Sequence, residues 1–183
     1  MARRVRRLAA IVLVLLLAGS VVLVLTTRPK LDDARGEVDT TWKPLRAPLA
    51  ARYEKLAAAN AELGTAGAGD RDVARALSLN LARWDRLRRA QDQDADAEAE
   101  TADQLEGLAT RLQAVVLSSD RLKSVDPLNQ AIAAFQGAVP PPPAVKAYND
   151  ATRSYEDERN GLLRRPVARL FGYDSRPQLL LSG

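Results

Sequence analysis

The stretch VDTTWKPLRAPLAARYEKLAAANAEL, Val38 to Leu63, carries Trp42, Leu49, Leu56 and Leu63 seven residues apart. Val38, Leu45 and Ala59 lie on the neighbouring seam. That is the a/d stripe of a helix that buries one face against other helices. Pro44 and Pro48 interrupt it. Each lacks a backbone donor and disfavours helix at the preceding residue, so a kink or broken start is expected there. Regular helix should then run to about Leu63. Residues 28–183 hold no convincing alternating strand pattern, while Ala, Leu, Arg, Glu and Asp dominate. The expected class is all-α: an antiparallel bundle of three to four long helices behind one N-terminal transmembrane helix.

Downstream, GTAGAGD (Gly64 to Asp70) reads as a loop, with Asp70 placed to cap the next helix. Leu77, Leu81 and Trp84 start a second stripe, and Leu105, Ala109, Leu112 and Val116 end it. Leu77 and Leu105 are 28 residues apart, four heptads, and Ala95 and Ala102 keep the seam between them. One helix from Asp70 to about Leu117 is expected, with two helices broken near Asp94 as the alternative. SSDRLKSVDP reads as a turn region, and a shorter helix follows from about Pro127 to Phe135. VPPPP predicts an extended stretch. In the last helix Val145, Tyr148, Thr152, Tyr155, Arg159 and Leu162 share one face, and both tyrosines should pack on the bundle. A buried tyrosine needs a partner for its hydroxyl. Asn149 is one position off this seam, which points its amide to a helix end or loop. Pro166 ends the helix or starts a new turn, PVARLFGY.

The first segment reads as an anchor. Leu8 to Thr27 is 20 residues without a charge, about 30 Å as helix and the thickness of a bilayer's hydrocarbon core. A cleaved signal peptide is the rival, with Ala18-Gly19-Ser20 as its best site. The apolar run continues past that site through Val21 to Leu25, which a signal peptide does not need. Four arginines precede the run within seven residues; Arg28 and Lys30 behind it are diluted by Asp32 and Asp33. The positive-inside rule then leaves the N-terminus cytoplasmic and residues 28 onward outside. The expected organisation is a basic flank (1–7), a span (8–27), a helical bundle domain (28–173) and a C-terminal tail (174–183).

Composition narrows the chemistry. The chain has no Cys and no His. Disulfides, thiol nucleophiles, Cys/His zinc sites and Ser-His-Asp triads are therefore out. The net charge of +4 belongs to the four leading arginines; residues 28–183 hold 23 basic and 23 acidic side chains. No nucleic-acid surface is indicated. Abundant Ala and Arg suit a GC-rich bacterial genome. DQDADAEAETAD, Asp92 to Asp103, places Asp92, Asp94 and Asp96 as an EF-hand loop would. Ala97 replaces the turn glycine, Ala99 the aliphatic and Asp103 the bidentate Glu. A solvated acidic helix is the expected reading. Trp42 and Trp84 read as seam residues. Arg52 falls on the inner seam and demands a carboxylate or carbonyl partner; Glu156 or Asp157 is the expected one.

Two motifs resemble the LemA family of bacterial membrane-anchored helical proteins. The first is WKPLRAPLAARYEKL, with Trp42, Arg52 and Glu54. The second is AYNDATRSYEDE followed by RRPVARLFGY, with Tyr148, Asn149, Tyr155, Pro166, Phe171 and Gly172. LKSVDPLNQAIAAF is a looser match to the family's middle. Glu54 stands where that family usually has Asp, and Glu156 where it has a second Asn, so the chain reads as a divergent member. The resemblance implies one N-terminal span, an antiparallel helical bundle and no catalytic residues.

The resulting functional expectation is a structural or interaction protein of the bacterial inner membrane, its domain on the outer side. Its partner would be another envelope protein; no cofactor, metal or catalytic residue is assigned. The alternative is a ligand- or cation-binding module using residues 92–103. An enzyme ranks last.

Overall fold

The structure is a computed structural model that describes residues 2–69 and 71–182, with side chains from residue 18 onward. Among the described residues every regular element is a helix and there is no strand. The helices are α1 (Ala2–Trp42), α2 (Arg46–Leu63), α3 (Asp72–Arg89), α4 (Ala95–Leu117), α5 (Asp120–Lys123), α6 (Asp126–Gly137), α7 (Pro142–Asn160) and α8 (Arg165–Leu170). Where one bundle domain was expected, the chain divides into two compact units. One is Met1–Glu37 with Arg153–Ser175; the other is Val38–Thr152 with Arg176–Gly183.

The larger unit is organised by the first stripe. Val38, Trp42, Leu45, Leu49, Leu56, Ala59 and Leu63 are all fully buried. The expected break is a single 3-10 turn, Lys43–Leu45, with Pro44 inside it. α2 then packs on α6 and on α3, and α3 packs on α4. GTAGA is a wide helical turn rather than an open loop, broken by Gly67 at φ 70°, where a Cβ would be strained. The expected cap, Asp70, lies outside the described residues.

The long 70–117 helix is two helices. Ala90 is extended (ψ 143°) and Asp94 is non-helical (ψ 98°). Asp94 Oδ1 accepts from the backbone N–H of Asp96 (3.0 Å) and of Ala97 (3.1 Å), a standard N-cap. The reversal lets Arg83 on α3 pair with Glu100 on α4 at 3.0 Å. Leu77, Trp84, Ala95, Ala102, Leu105, Ala109, Leu112 and Val116 are buried as the stripe required, but on two helices, and Leu81 is only half-buried. The acidic segment is correspondingly not all helix: residues 92–94 belong to the turn. The turn region 118–125 also contains α5, whose Leu122 is fully buried.

In the smaller unit α1 runs unbroken through position 28 and through Pro29. Among the described residues its buried side chains are Thr27, Leu31, Tyr155, Val167, Ala168 and Tyr173. α7 stops at Asn160, so Leu162, expected on the packed face, is 91% exposed. Pro166 sits in the first turn of α8, where its missing N–H costs nothing. Gly172 takes φ 70° and turns the chain so that the Tyr173 N–H reaches the Ala168 carbonyl at 2.9 Å.

Among the described residues no helix is long and apolar enough to cross a membrane. The expected span at 8–27 has its first half, residues 8–17, outside the residues whose side chains are described.

The α3–α4 reversal rests on a polar cap, so Asp94→Ala should destabilise the chain by about 1 kcal/mol, the usual worth of an N-cap. Asp92→Ala, in the same turn, should be close to neutral. Urea melts in detergent, followed by the fluorescence of Trp42 and Trp84, compare the two. Equal effects would mean that Asp94 does not cap α4.

Candidate functional site

The interior of the larger unit contains charge. Arg52 is fully buried on α2. Its Nε donates to Glu106 Oε1 at 2.7 Å and its Nη2 to Oε2 at 2.9 Å, a fork-to-fork pair with α4. Nη1 donates to the carbonyls of Phe135 (3.0 Å) and Ala138 (3.3 Å) at the end of α6. Nη2 also reaches the Ser182 carbonyl at 2.6 Å. The guanidinium stacks on the Phe135 ring, 3.9 Å from its centroid. Glu106, not Glu156 or Asp157, is thus the partner. Glu156 instead takes Arg159 (2.8 Å) and Ser175 (2.9 Å) in the smaller unit. Glu106 also accepts from the N–H (2.8 Å) and hydroxyl (2.6 Å) of Ser182.

Eight residues earlier on α4, Glu98 forms a second buried centre. Its Oε2 accepts from the Trp42 indole N–H at 2.6 Å and from Arg46 Nε at 2.7 Å. Trp42 also packs on Tyr148, ring centroids 4.9 Å apart. Tyr53 meets Trp84 edge-on at 5.0 Å and donates to the Ala102 carbonyl at 3.2 Å.

The tyrosine motif of α7 holds the end of the chain. In the larger unit Tyr148 is fully buried and donates to the Pro177 carbonyl at 2.9 Å. Asn149 offers both halves of its amide to Leu179: Nδ2 to its carbonyl (3.1 Å) and Oδ1 to its N–H (2.8 Å). Arg176, itself buried, pairs with Asp39 at 2.6 Å and with Asp96. In the smaller unit Tyr155 donates to the Asp174 carbonyl (2.8 Å), Arg159 to the Tyr173 carbonyl (2.8 Å) and Tyr173 to Asp32 (2.5 Å). Within 174–182, where a tail beyond the bundle was expected, Arg176 and Leu179 are buried, and α7 supplies hydrogen bonds that an irregular segment lacks.

Of the sequence-selected residues, Trp42, Arg52, Tyr148 and Asn149 belong to this network in the larger unit, and Tyr155 to its counterpart in the smaller. Glu54 is exposed and lines a cleft of about 300 Å³ between α2 and α3 with Tyr53, Trp84, Asp85 and Arg88. Phe171 is 41% exposed, with the Arg28 guanidinium 5.1 Å from its ring centre. Sequence reasoning missed Glu98 and Glu106. Both sit on the buried face of α4, and an acid within an apolar stripe is the signal that finds them. Asp94 and Asp96 are used as a cap and as the partner of Arg176. Among the described residues no group of three or more His, Cys, Asp or Glu side chains is placed to hold a metal ion.

No family model, curated protein or solved structure matches the chain.

Removing Arg52 strands a buried carboxylate. Arg52→Met should cost about 3–5 kcal/mol, whereas Arg52→Met with Glu106→Leu should recover part of that loss because no orphan charge remains. Urea melts of the two variants decide it. A double variant as unstable as the single, or more so, would show that the pair's own attraction is what stabilises.

All four tyrosines favour the neutral phenol in the folded chain. Burial, aided by the charge of Glu106, pushes Tyr53 well above its ordinary range. Burial pushes Tyr148 and Tyr155 up to about 12, and burial with the Asp32 hydrogen bond raises Tyr173. A raised folded value contributes stability that is complete below the unfolded value near 10 and is lost as pH climbs through the folded one. Stability should be insensitive to tyrosine below pH about 10 and fall between about 10 and 12. Tyrosinate absorbance should rise together with the loss of helical circular dichroism. A phenol titrating near pH 10 with the helices intact would contradict the buried placement.

Proposed function

We propose that this chain is a membrane-anchored helical-bundle protein of the bacterial envelope, LemA-like, acting by binding rather than catalysis. One N-terminal helix holds it in the inner membrane with the remainder on the outer side, and its partner is another envelope protein. The observation that carries this reading is the charge-free run Leu8–Thr27 behind four arginines, set in a helix that continues without a break to Trp42. The non-enzymatic part is supported by the fate of the buried acids. Glu98 is engaged through Oε2 by Trp42 and Arg46, and Glu106 through both oxygens by Arg52 and Ser182. General acid–base work needs a group within reach of a substrate proton; these carboxylates point at their own fold. The LemA likeness rests on Tyr148-Asn149, Tyr155 and the Pro166–Gly172 ending.

External protease added to spheroplasts should digest the chain from residue 28 onward and leave the span. Full protection would overturn the orientation. A mature N-terminus near Val21 would overturn the anchor.

A further inference from the structure

The segment GLLRRPVARLFG, Gly161 to Gly172, is built inside out for a water-facing turn. Leu162 is 91%, Leu163 68% and Leu170 75% exposed, while Val167 and Ala168 are buried beneath them. Leu162 and Leu170 line one shallow groove with Arg165 and Arg169. The segment carries three arginines, at 164, 165 and 169, and no acid. Isolated exposed leucines need no explanation, but a cluster of aliphatics rimmed by cations does. This mixture of Leu, Phe and Arg is what an interfacial segment uses: the apolar side chains enter the acyl boundary and the guanidinium groups stay among lipid phosphates.

Its position in the smaller unit identifies the occupant. Arg28 lies over the Phe171 ring at 5.1 Å, and Asp32, one turn further along α1, accepts from Tyr173 at 2.5 Å. Arg28 is the first charged residue after the 20-residue run. At about 1.5 Å per residue it stands at the headgroup level if that run spans the bilayer. The segment is therefore pinned beside the point where the chain leaves the membrane. Val21, Val22 and Leu25 of α1 are also exposed in the same unit, at 57%, 59% and 67%.

We propose that Gly161–Gly172 is a second membrane contact, resting on an anionic lipid surface beside the span, with Leu162, Leu163 and Leu170 inserted and Arg165 and Arg169 on the phosphates. This rests on the anchor reading above. It would give the chain two attachments instead of one, fixing the tilt of α1 rather than leaving the unit to swing on a single helix.

The absence of cysteine makes single labels clean. The full chain, labelled with an environment-sensitive fluorophore at Leu163→Cys, Leu170→Cys, Val14→Cys or Leu117→Cys, is reconstituted into phosphatidylcholine/phosphatidylglycerol vesicles with spin-labelled lipid. Labels at 163 and 170 should be quenched at least twofold by spin label near the headgroups. The label at 117, on an exposed leucine of the larger unit, should be unaffected. Omitting phosphatidylglycerol, or adding Arg165→Gln with Arg169→Gln, should cut the quenching at 163 and 170 by half or more and leave 14 unchanged. Quenching at 14 without quenching at 163 and 170 overturns the second contact and leaves the anchor standing. No quenching at 14 overturns both. Quenching at 163 and 170 that ignores phosphatidylglycerol and the arginine changes overturns the anionic recognition. Photocrosslinking from 163 to a protein in native membranes, with no lipid quenching, assigns the patch to a protein and overturns the proposal.

Discussion

The Arg52–Glu106 pair is the constraint on which the larger unit depends. A guanidinium has five N–H donors and cannot give up its charge. Arg52 spends them on Glu106 of α4, on two carbonyls at the end of α6 and on the Ser182 carbonyl. Taking both charges out of water costs several kcal/mol each, so the pair need not be a net source of stability. What it imposes is register. A shift of α4 by one residue along α2 would carry Glu106 out of the fork, and a shift of α6 would strand its last carbonyls. An apolar contact tolerates such slippage; a bidentate ion pair does not.

Glu106 extends the same logic to the end of the chain. By accepting the Ser182 N–H and hydroxyl it fixes one end of an extended segment. Asn149 fixes Leu179 by using its amide as a peptide group would, one donor and one acceptor facing one residue. Tyr148 holds the carbonyl of Pro177, the one residue of this segment with no N–H to give. The Tyr-Asn pair is thus a structural device: helix side chains that satisfy the backbone of an irregular segment where no neighbouring strand exists.

These dependencies explain what was legible. Burial along Val38–Leu63 was readable because every seventh side chain is large and apolar, and only a helix brings such residues to one face. The break at residues 90–94 was legible only as the alternative reading, because Ala95 and Ala102 keep the heptad phase across a turn, and alanine suits either reading. Asp94 was visible as a cap only to an argument that gave polar capping precedence over periodicity. Arg52 was recognisable as misplaced, yet its partner depended on that break: Glu106 faces α2 only because α4 doubles back. The ordering of residues 174–182 had no signature of its own, since its partners bind backbone carbonyls, which every residue possesses. Leu162 fell on the predicted face by spacing, but Gly161 follows Asn160 at the end of α7, and the spacing rule lapses once the helix stops.

The distribution of polar groups says where function can reside. In the larger unit Arg52 and Glu106 are committed to one another and to the backbone, Glu98 holds Trp42 and Arg46 through one oxygen, Arg176 pairs with Asp39, and the Tyr53 and Tyr148 hydroxyls each have a carbonyl. A core so committed resists rearrangement, because each polar group released inside it costs about 1–3 kcal/mol. Such an interior suits a rigid support and does not suit a switch. Chemistry open to a second molecule is left to the exterior. There the smaller unit stands out, with its exposed leucines and arginines in the segment that follows α7.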